Sequence, residues 1–149
     1  GYASAQKHLG ELYEAGQAVP HDEAEAAKWY QRAAENGLVE AQYSLAVMYA
    51  SGRGVKLNDA EAVKWYRRAA EQGDALAQYN LGVRYTSGRG VPQDGIEAYK
   101  WLSLSVAHGL PDAGEFRDAL NGSMTGEQIN EGKRRVAAFV PTKSPGVTR

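Results

Sequence analysis

The sequence predicts an all-α solenoid, a stack of helix pairs that recur every 36 residues. Shifting the chain by 36 positions brings equivalent leucines, tyrosines and tryptophans into register. Apolar residues inside each unit keep helical spacing, and glycines recur where each helix should end. One such pair cannot bury its apolar face alone, so stacked neighbours complete the core. The register is carried by Leu9, Leu45 and Leu81, by Tyr13, Tyr49 and Tyr85, by Trp29, Trp65 and Trp101, and by Gly37, Gly73 and Gly109.

The first helix of a unit is clearest in the second repeat. Ala41, Leu45 and Tyr49 lie four residues apart and form one apolar stripe. Gly52 follows, and we expect it to end the helix with a positive φ, which glycine adopts readily. The spacing therefore predicts a helix that stops at Gly52.

The second helix carries a start signal in every repeat. In the second repeat, Asn58 is followed three residues later by Glu61, which is the capping-box pattern, and Lys64 comes three residues after that. Equivalent residues are Asp22, Glu25 and Lys28 in the first repeat and Asp94, Glu97 and Lys100 in the third.

Large rings alternate with small alanines along the second helices, which indicates close packing between helices. We predict that Trp65 lies in the core, beside Ala62 and Ala69. The predicted structural core contains Trp29, Leu45, Tyr49, Trp65 and Trp101.

These residues resemble the motif of the Sel-one-like repeat (SLR), a relative of the tetratricopeptide repeat. The resemblance covers about residues 3–109 and runs through Ala41-Gln42-Tyr43, Leu45, Tyr49, Gly52-Arg53-Gly54-Val55, Asp59, Ala62, Lys64-Trp65-Tyr66, Ala69-Ala70 and Gly73. It departs at Ala18, where the family prefers a second glycine, and at Leu102 and Ser105, where tyrosine and alanine are usual. The resemblance implies a right-handed superhelix whose concave groove is lined by the first helix of each pair.

The resemblance also implies a function and a setting. Members of this family generally assemble protein complexes and often belong to bacterial envelope or signalling systems. We therefore expect a bacterial binding scaffold rather than an enzyme, with a periplasmic or secreted location slightly favoured over a cytoplasmic one.

We expect a single solenoid domain over residues 1–140, with repeats at about 1–36, 37–72 and 73–108. Residues 111–140 are predicted to form a capping pair, with Ala113, Phe116 and Leu120 on one apolar stripe and a capping box at Thr125 and Gln128. Residues 141–149 are rich in Pro, Gly and polar residues and are predicted to be disordered. Gly1 occupies the same repeat position as Gly37, so the N-terminal face is expected either to continue a longer array or to self-associate.

The groove should be lined by first-helix positions that lie away from the buried stripe. The candidates for binding a protein or peptide are Lys7, Glu11, Glu40, Tyr43, Val47, Tyr79, Asn80 and Val83. Exposed aromatics of this kind are typical binding hot spots. The alternative is that Tyr43 and Tyr79 fill the gap between adjacent repeats. We expect the ligand to be an extended peptide or a helix with apolar and basic side chains.

The sequence offers little for catalysis or metal binding. It has no Cys, and its three His lie outside the spacings of common metal sites. Ser4 and Lys7 match the Ser-x-x-Lys pattern of penicillin-recognising hydrolases, which is the alternative function, but the accompanying motifs are missing. The glycine-rich loops at Arg53 and Arg89 lack the ending of a P-loop, and these arginines are expected to hydrogen-bond carbonyls at helix ends. No cofactor is predicted.

The balance of 17 Lys and Arg against 18 Asp and Glu gives a net charge of −1. A chain-wide basic field of the kind that attracts nucleic acid is therefore not expected. The sequence also holds no apolar run of about 20 residues, so membrane insertion is not expected.

Overall fold

The computed structural model describes residues 1–143, and within that range it contains eight α-helices and no strand. The predicted all-α solenoid of helix pairs is confirmed. We call α1, α3, α5 and α7 the first-helix layer and α2, α4, α6 and α8 the second-helix layer. The helices are α1 (Tyr2–Ala15), α2 (Glu23–Glu35), α3 (Val39–Ser51), α4 (Asp59–Glu71), α5 (Ala75–Ser87), α6 (Gly95–Ala107), α7 (Ala113–Asn121) and α8 (Gly126–Ala137).

The helix pairs follow one another in space as they do in sequence. Along the three repeats, each helix packs against the helices that precede and follow it in the chain. At the C-terminal end, both α7 and α8 pack against α6. Short local connections of this kind explain why a repeat pattern can specify the stack.

The predicted first-helix ends are present. Gly16, Gly52 and Gly88 end α1, α3 and α5 in the left-handed conformation, with φ between 64° and 70°. The second helices end two residues before Gly37, Gly73 and Gly109, which also have positive φ.

The N-caps of the second helices differ from the sequence pattern in one respect. The side chain of Asn58 accepts from the backbone N–H of Glu61, as predicted. The Glu61 carboxylate, however, bonds Lys64 Nζ (3.2 Å) and does not return to the cap. The ion pair thus takes the carboxylate that a full capping box would use, and among the helices of residues 1–143 only Thr125 with Gln128 forms the complete box.

The core follows the repeated stripes. Leu45, Trp65 and Trp101 are buried, as predicted. Tyr49 is half-buried against the core, and Trp29 is half-buried, with the Arg32 guanidinium 4.4 Å from the centre of its ring. The predicted stripe of α7 is wrong at Phe116, because Ala113 faces the core whereas Phe116 lies on the surface.

A buried glutamine joins each repeat to the one before it. Gln42 Nε2 donates to the Ala34 carbonyl at the end of α2 (3.1 Å), and Gln78 Nε2 donates to the Ala70 carbonyl at the end of α4 (3.0 Å). The Gln42 Oε1 atom accepts from Gln72 within its own repeat (2.7 Å). These bonds connect the helix ends of three successive hairpins, and Gln42 and Gln78 are both buried.

The Gly-Arg-Gly loops form a second link between repeats. Arg53 Nε donates to the Glu23 carboxylate at the start of α2 (3.0 Å), and Arg89 Nε donates to Asp59 at the start of α4 (3.0 Å). The expectation that these arginines bond helix-end carbonyls is therefore wrong, because a carboxylate one repeat back offers a charge-assisted bond instead.

The chain after α8 turns back across the second-helix layer. The Phe139 ring packs edge-on against Trp101, with ring centroids 5.8 Å apart. The Thr142 N–H donates to the Glu71 carbonyl at the end of α4 (2.8 Å). Of the tail predicted to be disordered, residues 144–149 lie outside the described residues.

Candidate protein-binding surface

The first-helix layer positions the candidate residues in rows, because the period of 36 residues returns each one to the same place on successive helices. Lys7, Tyr43, Tyr79 and Glu115 form one such row. The row changes from a cation through two aromatic rings to a carboxylate, so the surface is not uniform along the stack.

The Lys7 end of the layer is polar. Lys7 Nζ lies 3.1 Å from the Glu11 carboxylate, one turn further along α1. Lys7 thus pairs with an acid, and within residues 1–143 no hydrogen bond joins it to Ser4, as a nucleophile and its base would require.

Tyr43 is half-buried against the partner helix of its own repeat. Its ring lies 5.9 Å from that of Tyr66, tilted by 55°. Burial, and to a smaller degree the charge of Asp74, raises the pKa of Tyr43 above its usual value. Tyr43 thus packs on the core while part of it stays at the surface.

Tyr79 has a different environment. Its ring meets that of Phe116 on α7 edge-on, with centroids 5.6 Å apart and an angle of 89°. Asn80, the next residue, donates from Nδ2 to the Leu76 carbonyl of its own helix (2.9 Å). The sequence did not assign Leu76 or Phe116 to the surface site, although the period places them level with Glu40 and Asn80 and could have found them.

The two valines of the candidate set also differ. Val47 packs on the core and lines a cavity of about 100 Å³ with Tyr30, Tyr43 and Met48. Val83 is half-buried. Glu40 is exposed at the start of α3. The candidate residues therefore share one layer without forming one enclosed pocket.

A charged cluster borders this layer between the first and second repeats. Glu14 accepts from Tyr30 Oη (2.6 Å) and from Arg53 Nη2 (2.9 Å). Burial first, and then the bond to Glu14, raises the pKa of Tyr30, so its hydroxyl stays neutral. Glu14 thus joins α1 to Tyr30 of α2 and to Arg53 of the loop after α3.

The equivalent cluster between the second and third repeats contains two arginines. Asp59 is paired with both Arg84 and Arg89. The bond from Arg84, followed by that from Arg89, lowers the pKa of Asp59 below its usual value. Two guanidinium groups of the third repeat thus hold one carboxylate of the second, so the cluster links these two repeats.

The described residues also bear on metal binding and on membrane insertion. Among residues 1–143, no group of three His, Asp or Glu side chains is arranged to hold a metal ion. Within the same range, each helix is too short or too polar to cross a bilayer.

The comparisons with known proteins agree with the fold. The family model for the Sel1 repeat matches residues 3–38, 39–74 and 75–110. No curated protein shows significant sequence similarity to the chain.

Two solved structures are similar to this chain. A Sel1 repeat protein from Oxalobacter formigenes is 39% identical, with a TM-score of 0.73, over 74% of this chain and 46% of its own length. The protein c5321, a protective antigen of uropathogenic Escherichia coli strains with an SLR fold, is 38% identical, with a TM-score of 0.79, over 91% of this chain and 30% of its own length. The chain thus spans less than half of either relative.

Proposed function

The chain belongs to the Sel1 repeat family, and from this membership we propose that it is a protein-binding scaffold whose first-helix layer holds a peptide or a helix of a partner protein. Proteins of this family generally mediate contacts between proteins. The supporting observation is the row of Tyr43 and Tyr79, two rings that the stack leaves partly exposed on successive first helices. Partly exposed aromatic side chains on a rigid frame give large contact area at a small entropic cost.

The partner would extend along the layer rather than enter a pocket. The ligand-contacting residues proposed from the sequence are Lys7, Glu11, Glu40, Tyr43, Val47, Tyr79, Asn80 and Val83. Because Lys7 and Glu11 already pair with each other, we expect Tyr79, Asn80 and Val83 to contribute more of the binding free energy.

Affinity capture from a native extract tests this proposal. The full chain should retain a partner that the Tyr43→Ala, Tyr79→Ala double variant loses. The matched control is Lys28→Ala with Lys64→Ala, which changes two exposed side chains of the second-helix layer. Equal retention by both variants would contradict binding through the first-helix layer, and thermal melts establish that the double variant is folded.

Self-association through the outer face of α1 remains a second proposal. Ala5 is exposed and Leu9 is half-buried, whereas their equivalents Ala41 and Leu45 are fully covered by the preceding hairpin. Sedimentation velocity tests it: Leu9→Glu should abolish any dimer that the wild-type chain forms, and a monomeric wild-type chain at high concentration would contradict it.

A further inference from the structure

An apolar corner lies where α5 and α7 meet in the first-helix layer. It consists of Leu76, Tyr79 and Phe116, and we call it the aromatic corner. Leu76 is 46% exposed and Phe116 is 48% exposed, although both are large apolar side chains. Leu76 lies one turn before Tyr79 on α5, so the two share a helix face, and Tyr79 contacts Phe116 edge-on.

Four carboxylates lie on or next to the segments that form this corner. Asp74 caps α5, Asp112 precedes α7, Glu115 lies one residue before Phe116, and Glu40 is the residue equivalent to Leu76 on α3. Burial raises the pKa of Asp74, and the charge of Glu40 raises it as well.

These acids differ from those of the second-helix layer in lacking basic partners. Glu25, Glu61 and Glu97 each pair with a lysine three residues later. Within residues 1–143, by contrast, none of the four carboxylates around the corner forms an ion pair. Uncompensated acids around an exposed apolar patch favour a ligand that carries positive charge.

We propose that the aromatic corner binds a short helical segment of a partner protein, in which one large apolar side chain is flanked by Lys or Arg. This inference rests on the proposed scaffold function and specifies the chemistry of its ligand. The apolar side chain packs between Leu76 and Phe116, where it removes apolar surface from water. The basic side chains of neighbouring turns reach the carboxylates, since residues three or four apart on a helix share a face.

The same charges exclude other classes of ligand. Phosphates of a nucleic acid or of an anionic membrane would be repelled by four carboxylates that lack counter-ions within the described part of the chain. An acidic peptide would meet the same repulsion. The corner therefore selects both for an apolar anchor and for positive charge.

Fluorescence anisotropy with two labelled peptides tests the proposal on the full chain. The first is an amphipathic helical peptide of about 15 residues with leucines on one face and lysines beside them, long enough to form a marginal helix. The second carries Glu in place of every Lys. We expect the basic peptide to bind, with an affinity that falls as salt is added, and the acidic peptide to bind at least about tenfold more weakly.

Substitutions locate the site. Phe116→Ser and Leu76→Ser should each weaken the basic peptide about tenfold, as expected for a hot-spot side chain. Val140→Ser is the matched control, because Val140 is an exposed apolar residue outside the first-helix layer. Glu115→Lys keeps the apolar patch and reverses one charge, so it should weaken the basic peptide and strengthen the acidic one.

Three results would overturn the inference: equal binding of both peptides, binding of the basic peptide that Phe116→Ser leaves unchanged, or no binding of either peptide up to about 1 mM. A natural partner captured through Tyr43 but indifferent to Phe116→Ser and Glu115→Lys would refute the aromatic corner and leave the scaffold function intact. The scaffold function itself would be contradicted if the Tyr43→Ala, Tyr79→Ala variant and its lysine control retained the captured partner equally.

Discussion

At the scale of single residues, the second glycine of each Gly-Arg-Gly loop meets two demands. Gly54 has φ of 67°, a conformation that costs other residues energy. A Cβ at Gly54 would also lie 2.0 Å from the Glu23 carbonyl oxygen, and a Cβ at Gly90 would lie 2.3 Å from that of Asp59. The equivalent Ala18 keeps the positive φ of 63° but is exposed. Glycine is therefore needed both for φ and for the approach of the neighbouring repeat.

Gly54→Ala should destabilise the protein by about 2–4 kcal/mol, since the left-handed conformation and the collision with Glu23 add together. Ala18→Gly changes the equivalent position without that collision and should leave stability unchanged or raise it by up to about 1 kcal/mol. Urea unfolding measures both. A Gly54→Ala variant as stable as the wild type would show that the loop can move away from α2.

Tyr66 gives a prediction for alkaline pH. Burial, and to a lesser extent the nearby Tyr43, raises the pKa of Tyr66 to about 12. In the unfolded chain the Tyr66 phenol ionises near pH 10. The free energy of unfolding that depends on the neutral phenol is therefore fully present below pH 10 and is lost between about pH 10 and pH 12.

Between pH 9 and pH 12, the free energy of unfolding of Tyr66→Phe should therefore fall by about 2–3 kcal/mol less than that of the wild type. Tyr2→Phe is the control, because Tyr2 is 77% exposed. Urea unfolding across this pH range gives the comparison. Parallel pH profiles for the wild type and Tyr66→Phe would contradict a raised pKa at Tyr66.

At the scale of helices, the glutamine bonds show how neighbouring elements are joined. Gln6 and Gln42 occupy equivalent positions and are almost equally buried, at 5% and 4% exposure. Gln6 accepts from Asn36 within its own repeat (2.9 Å), and Gln42 accepts from Gln72 in the same way. Of these two glutamines, only Gln42 also donates to a carbonyl of a preceding helix, that of Ala34, in the described structure. Comparing substitutions at Gln42 and Gln6 therefore measures the contribution of the one bond between repeats, from Gln42 to Ala34.

Gln42→Leu should lower the free energy of unfolding by about 1 kcal/mol more than Gln6→Leu does, because one buried hydrogen bond usually contributes about that much. Chemical denaturation of the two variants measures the difference. Equal losses would mean that the bond to Ala34 adds nothing to the stacking of α2 and α3.

At the scale of the whole molecule, the C-terminal segment connects parts of the chain that are far apart in sequence. Phe139 packs against Trp101 of the third repeat, and its ring centroid lies 6.1 Å from that of His108. Thr142 bonds the end of α4 in the second repeat. The segment therefore stabilises two repeats at once, in a fold whose other contacts are between neighbours.

Phe139→Ala should lower the free energy of unfolding by about 2 kcal/mol, less than for a fully buried ring because Phe139 is only half-buried. Val140→Ala, at an 80% exposed neighbour, should change it by less than about 0.5 kcal/mol. Thermal and urea unfolding give both values. A Phe139→Ala variant that matches Val140→Ala would show that the segment does not support the repeats.

The sequence by itself determined the period, the helix ends and much of the core. Asn58 begins a helix, Gly52 ends one and Leu45 is buried because each of these features depends on residues within one or two turns of the same chain segment. Membership of the Sel1 repeat family is shown by the same repeated residues, and the proposal of a protein-binding scaffold rests on that membership. Such local signals can be recognised from the sequence alone.

Only the tertiary structure decided how the repeats meet. Arg53 bonds carboxylates in the preceding repeat rather than carbonyls, Phe116 turns outward to Tyr79, and the Glu61 side chain prefers Lys64 to the helix cap. In each case two partners were chemically acceptable. The choice depended on distances between helices that the spacing of residues along a single helix does not contain.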